Sequence, residues 1–595
     1  MLKHIILSLI FLLSAKPTLA LSQFTTDYQI SYQVNQSGST HVKYQINQTN
    51  NLSRVYATDF SLSVSHTNIE NLKVKDFATS IDPDITLTNN ITTINFPFNN
   101  KIVGKDKTHQ FSLEYDTRDI ALQTGSVWEI NIPKITTKEN INNLTVTLQV
   151  PTDFPKLVFV DPKPSKINNN LFTFSSHSLS NKPISALFGS QQFFELNANY
   201  YLENKLSTTE ELTIAIPPNT SYQEVFIKNL IPQPNNITLD QDGNWLANYI
   251  LKPKQKLNIK LQQIIKLNFS PKETSFAPSD RYLEETNVWN YNTPEFQKIN
   301  TNNLKDPQQI FNYVTSSLIY NYSLIKKDPL SREPASFSLE HPTQAICTNF
   351  TDLFIALSRK NNLPAREIQG FALSQNDKLK PLSLSQDILH AWPEYFNRTT
   401  NTWIQVDPTW TNTTNGVDYF NKLDLNHIAF VIHGGSTTDP LPAGFYKNPA
   451  INSKDVIIQE ITPQEFPPSN IQINLAQQKG NTLIVNLTNS SGVSLQSNLK
   501  ISTHNNALTT QPVFLPPFSH QDIEVNLNSR PIVGRSTNII ILELAGTQHT
   551  LPVNIKPLFP PQILVIISLV LVILAILIIK KIKKNNSVFP VSIKT

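Results

Sequence analysis

Cys347 is the only cysteine among 595 residues, and it stands in "HPTQAICTNFTDLF". It has no partner for a disulfide within the chain, so it is either incidental or chemical. Taken alone, a free thiol reads as a small buried apolar side chain. A thiol that reacts needs more. It must ionise, which the free N–H groups of a helix N-terminus favour. It needs a base, and the base needs an acceptor that orients it. His390 in "HAWPEYFN" and Asp407 in "TWIQVDPTW" are the residue types required. His390, Trp392 and Glu394 share strand parity, as do Trp403, Gln405 and Asp407. If the two segments pair through the polar turn "NRTTNT", imidazole and carboxylate come side by side. The chemistry of such a set is acyl transfer, with attack of a thiolate on a carbonyl carbon.

The neighbouring segments are those that such a set requires. Phe350, Leu353, Phe354 and Leu357 recur at helical spacing and predict a helix over 343–362 with one apolar face, capped by Thr343 and ended at Leu363-Pro364. Asp306-Pro307 opens another helix, with Ile310, Val314 and Leu318 on one side. "REIQGFAL", "LHAWPEYFN" and "TWIQVDPTW" alternate as strands, with Pro393 pointing to an edge strand or a bulge. The block 277–436 therefore reads as helices followed by an antiparallel sheet, an α+β unit.

The ordered set Cys347, Leu363-Pro364-Ala365-Arg366, Gly370, His390-Ala391-Trp392 and Trp403…Val406-Asp407-Pro408-Thr409 resembles the transglutaminase-like superfamily over roughly 305–415. The resemblance implies a papain-like α+β core with a Cys347, His390, Asp407 triad. It implies a cysteine protease, a deamidase or a cross-linking acyltransferase, since a thioester passes to water or to an amine through one triad. The family's cysteine usually follows small residues; here Ile346 precedes it. For the oxyanion, the Cys347 N–H is one expected donor, with Gln344 or Tyr320 as the second. Trp392 and Trp403 are expected to pack around the site and line its lip, and Arg366 to pair with a carboxylate or carbonyls. His427 and His433 show no ligand spacing, and no zinc or EF-hand pattern occurs, so neither metal nor cofactor is expected.

The ends and the composition set the surroundings. Lys3 and His4, an apolar run from Ile5 to Leu13 and Ala20 follow the order of a signal peptide over 1–20. Ile563–Ile579 carries no charge, and at 1.5 Å per residue it reaches about 26 Å, close to a bilayer core. Lys580, Lys581, Lys583 and Lys584 follow, so residues 562–580 are expected to span the membrane, with 581–595 as a cytoplasmic tail. The bulk of the chain is then extracytoplasmic. A net charge of +4 with 16% charged residues gives no reason to propose nucleic-acid binding. Period-two alternation predicts one or two β-sandwich modules over 21–195, a β-rich domain over 196–270 and an immunoglobulin-like sandwich over 466–556. The expected whole is multidomain: a transglutaminase-like core flanked by β-sandwich domains, held by one C-terminal transmembrane helix. Its partners are protein or peptide amides outside the cytoplasm. The competing expectation is a cell-surface binding or structural protein that uses this fold without catalysis.

Overall fold

The computed structural model describes residues 22–585, leaving out 89–90, 134–139, 180–181, 274–277, 300–303, 325–331, 374–388, 415–416, 422, 451–453, 480–481, 504–506, 527–536, 555–558 and 560. The expected signal peptide and the end of the tail lie outside the described residues.

Strands dominate because the sequence alternates. In Thr40–Asn50 every second residue is buried. This strand pairs antiparallel with Phe24–Val34 across a turn where Gly38 takes φ +80°, a left-handed conformation that disfavours a side chain. An eight-stranded sheet and two smaller sheets enclose one apolar core that runs from Tyr28 to Phe188.

A second strand-rich unit follows. Gln191–Glu203 pairs along its whole length with Lys256–Asn268. This strand crosses the division expected between 195 and 196, because its ladder of hydrogen bonds belongs to the later sheet. Val456–Glu460 returns to pair with the same strand. The chain between is an excursion from this sheet, and that excursion carries Cys347, His390 and Asp407.

Within it, helices α1 (Pro307–Ser317), α2 (Ala335–Glu340), α3 (Cys347–Lys360) and α4 (Pro408–Thr413) surround a four-stranded antiparallel sheet. The strands are β1 (Ala365–Ala372), β2 (His390–Asn397), β3 (Thr402–Gln405) and β4 (His427–His433), in the order β3-β2-β1-β4. Asp306 caps α1 by accepting from the Gln309 N–H at 2.8 Å.

Helix α3 departs from the one-faced helix expected. Every residue but Thr348 and Lys360 is buried. Its polar side chains are tolerated because they find partners. Thr351 donates to the Ala391 carbonyl, Asp352 accepts from the Trp289 indole N–H, and Arg359 donates to the carbonyls of Glu284, Ala365 and Gly434. The helix also begins four residues later than expected. Ala345 is bridged to Tyr320 in parallel, which holds 343–346 extended or turned, so Ile346 and not Thr343 is the cap residue. Ile346 has no acceptor of its own; the Asn349 side chain reaches back to accept the Ile346 N–H at 3.0 Å. Asn349 opens an Asn-Phe-Thr glycosylation sequon, but its amide is buried and engaged, which leaves no room for a glycan.

Two features of the sheet explain residues of the motif. Pro393 sits in an inner strand, not an edge strand. It is tolerated because β3 has ended beside it, where its carbonyl accepts from the Val406 N–H at 3.1 Å. Gly370 lies opposite His390, and a Cβ there would meet the Ile428 carbonyl oxygen at 2.0 Å.

The free edge of β4 is closed by side chains of the second unit. The Gln223 amide accepts from the Ala429 N–H and donates to the Ala429 carbonyl, both at 3.0 Å. Asn244 does the same to Ile432 at 2.7 Å. Both amides are buried and stand in for a fifth strand.

Beyond residue 470, sheets of three and four strands pack over a separate core running from Ile473 to Val553. Pro561–Lys584 then forms one helix, 24 residues long and apolar enough to cross a membrane, with its side chains exposed.

Replacing Gln223 with Leu strips Ala429 of both partners in a buried setting. Each orphaned group costs about 1–3 kcal/mol, so the thermal midpoint falls by several degrees and protease cuts appear between Asn268 and Val456. Unchanged melting and digestion would contradict this account of the interface.

Candidate active site

Three segments meet at the start of α3. Cys347 is its first residue and is 6% exposed. As the first helical residue, its N–H has no acceptor within the helix. His390 opens β2 and is buried. Asp407 lies two residues past β3, as the cap of α4, so it is delivered by a helix start and not by the strand itself.

The Asp407 carboxylate makes three contacts. Oδ1 accepts from the Trp410 N–H at 2.9 Å, which caps α4. Oδ2 accepts from His390 Nε2 at 2.7 Å. The same oxygen accepts from His427 Nε2 at 3.1 Å. Burial disfavours the Asp407 charge, but the two imidazoles more than compensate and hold its pKa far below the usual carboxylate range.

His390 is clamped between Trp392 and Trp410, whose rings stack on it at 5.7 and 5.6 Å. Burial alone would make this ring less basic. Asp407 overrides that, first by charge and then by hydrogen bond, and Cys347 adds a smaller push, so His390 is raised to about 10. Its second nitrogen, Nδ1, is buried with no hydrogen bond of ordinary geometry. With Nε2 held by Asp407, Nδ1 is the nitrogen left for the thiol.

Tyr320 is nearby. Its ring is buried, its hydroxyl has no partner, and it packs on Tyr322 and Phe350. Burial, then Cys347, Tyr322 and Asp407, push its phenol up, so it stays a protonated donor. Gln344 lies in the preceding turn and is exposed.

The two tryptophans expected at the lip are fully buried. Trp392 supports His390 from below, its indole N–H donating to Gln405 at 3.0 Å. Trp403 belongs to another cluster, against Tyr282 and Phe396, with the Arg366 guanidinium 4.0 Å above its ring. Neither presents a surface to a substrate. Arg366 pairs with Glu394 at 2.7 Å, the carboxylate partner expected of it.

His427 is the residue that sequence spacing missed. Besides Asp407 it holds Asp424, Nδ1 to Oδ1 at 2.7 Å. Only the local pair Asp424 and His427 in "DLNHIAF" hinted at it. The ligand atoms of His390, Asp407 and His427 lie within 4.8 Å of one another, a spacing a metal can use. Here they are joined to each other by hydrogen bonds through Asp407 Oδ2. His433 serves elsewhere, between Glu367 and the Pro440 carbonyl.

The family model described as the transglutaminase-like superfamily matches residues 293–408, a span that includes Cys347, His390 and Asp407. The chain carries a transglutaminase-like domain. No curated protein matches the chain. Among solved structures, a proposed cysteine protease from Cytophaga hutchinsonii is similar at 16% identity and TM-score 0.32, covering 47% of this chain and 94% of that one. The periplasmic domain of TgpA from Pseudomonas aeruginosa, bound to ethylmercury, is similar at 14% identity and TM-score 0.23, covering 38% and 92%. A proposed protease from Parabacteroides distasonis has 8% identity and TM-score 0.19, covering 85% and 94%. Scores this low carry no functional argument. The transglutaminase-like domain is read from its own residues.

The raised His390 ties stability to pH. An unfolded histidine titrates near 6.5 and the folded one at about 10. The native state thus binds the extra proton between those values, and stability falls across that window as pH rises. The contribution is whole below about pH 6.5. Urea midpoints measured from pH 6 to 10 should decline, and Asp407→Asn should flatten the decline. Parallel profiles for the two proteins would contradict the assignment.

Proposed function

We propose that the chain is a membrane-anchored thiol enzyme acting on amide bonds of proteins or peptides outside the cytoplasm. One observation carries the reading: a buried histidine, oriented by a buried aspartate through Nε2, keeps Nδ1 free beside a thiol at a helix start.

In this reading Cys347 and His390 rest as a thiolate–imidazolium pair, the thiol proton being held on His390, and the sulfur attacks the carbonyl carbon of a carboxamide. The oxyanion forms against the Cys347 N–H and the Tyr320 hydroxyl, whose lack of any other partner favours it over the exposed Gln344. His390 returns the proton to the leaving amine as the C–N bond breaks, leaving a thioester on Cys347. Water or a second amine, deprotonated by His390, then releases the acyl group. Water makes the enzyme a hydrolase, and an amine makes it a cross-linking acyltransferase. Asp407 keeps the ring oriented and stabilises its positive form. The lysine cluster after the apolar helix favours a cytoplasmic tail, with the domain on the opposite side.

Iodoacetamide should label Cys347 of the folded protein rapidly near pH 6, and His390→Ala should slow labelling at least ~10-fold. An inert thiol in the folded chain would defeat the enzyme reading in favour of a silent scaffold. Mass spectrometry of surface proteins and cell-wall peptides, comparing the wild type with Cys347→Ala, should reveal amide bonds cut or made only by the wild type. On a substrate found that way, Tyr320→Phe should lower kcat about 100-fold with little change in KM. A wild-type kcat would remove Tyr320 from the oxyanion site.

A further inference from the structure

The mechanism above leaves one buried group unused. His427 lies behind Asp407, fully enclosed, with a carboxylate at each ring nitrogen: Asp407 at 3.1 Å and Asp424 at 2.7 Å. A carboxylate oxygen only accepts, so both nitrogens must donate. A neutral imidazole has one N–H. With both carboxylates ionised, the geometry calls for the doubly protonated ring. Burial disfavours that cation, yet Asp424 and Asp407 together raise the His427 pKa above its ordinary value.

We propose that His427 is a positioning residue: a fixed imidazolium, clamped by Asp424, that pins the Asp407 carboxylate from behind and restrains its pull on the His390 proton. The proposal rests on the acyl-transfer reading of Cys347 and His390. A lone buried aspartate next to an imidazole holds the ring's proton tightly, and a proton held too tightly passes poorly to the leaving amine. Sharing Oδ2 between two N–H donors divides that carboxylate. The rings of His390 and His427 lie 5.5 Å apart, close enough for the second cation to oppose the first.

The surrounding groups do not cancel this effect. Trp392 and Trp410 wall both imidazoles with apolar rings. Tyr320 is a neutral phenol at neutral pH, as is Tyr419, which is buried and also feels Glu129, Asp424 and Asp407. Cys347 faces His390, and Asp424 faces His427 and accepts from the Asn426 N–H as well. The order of charges away from the thiol is His390, Asp407, His427, Asp424. Removing His427 makes the field at His390 more negative.

The test is the pH dependence of Cys347 alkylation by iodoacetate, using the full chain in detergent micelles. This anionic reagent reacts best with a thiolate beside an imidazolium, so its rate falls on the alkaline side as His390 loses its proton. In His427→Gln that alkaline limb should move up by about one pH unit. His427→Gln combined with Asp424→Asn should move it up by less, because the lost cation lies nearer His390 than the lost carboxylate. The double variant leaves no unpaired ion buried and keeps the test valid if the single variant folds poorly. Alkaline limbs at the wild-type pH in the variants would overturn the role of His427 while leaving the thiol enzyme intact. A wild-type profile with no alkaline limb would instead overturn the acyl-transfer reading on which the proposal stands.

Discussion

The site depends on one buried carboxylate. Asp407 is wholly enclosed, and an isolated charge there would be too costly to keep. Its neighbours make it stable. One oxygen caps α4 and the other binds two imidazoles. These contacts fix the ring of His390, the start of α4 and the first residue of β4 at once. Trp410, whose N–H caps onto Asp407, also returns its indole ring to the stack on His390. Loss of the carboxylate would free all of them together, so the parts behave as a unit and not as separable contacts.

Around that centre the domain handles buried polarity by pairing it. Helix α3 is enclosed on nearly every side, and its Thr351, Asp352 and Arg359 each find a specific acceptor or donor. The edge strand β4, which carries His427, is sealed by the Gln223 and Asn244 amides. The second strand-rich unit thus does more than carry the domain. It closes the strand on which the rear of the Asp407 cluster is built. A helix long and apolar enough to cross a membrane follows a separate sandwich.

Much of this was legible from residue order. Period-two alternation marked the strands, because burial on one face of a pleat selects every second residue. Other features were not. The start of α3 was misplaced because Thr343 has the chemistry of a cap, while the bridge between Ala345 and Tyr320 is a long-range contact that no local window contains. The strand Gln191–Glu203 looked divisible because its partners lie far ahead, at Lys256–Asn268 and Val456–Glu460. Residue order lets Trp392 and Trp403 both pack around the site and line its lip, since an aromatic ring beside a motif reads the same whether it faces solvent or core. Both are core.

The residue types and order around Cys347, His390 and Asp407 were set by the sequence alone, as was the apolar C-terminal helix. Strand parity, turn length and an uncharged run are local properties. The role of His427 was decided only by the tertiary structure. Its spacing from His390 and Asp407 matches no pattern, because β4 reaches Asp407 by pairing with β1 and not with β2, the strand that bears His390. The same holds for the choice between Tyr320 and Gln344. Both stand before Cys347 in the chain, but folding buries the Tyr320 hydroxyl without a partner and leaves Gln344 exposed. Which polar atom is left unsatisfied is a property of three-dimensional packing, and one-dimensional order does not encode it locally.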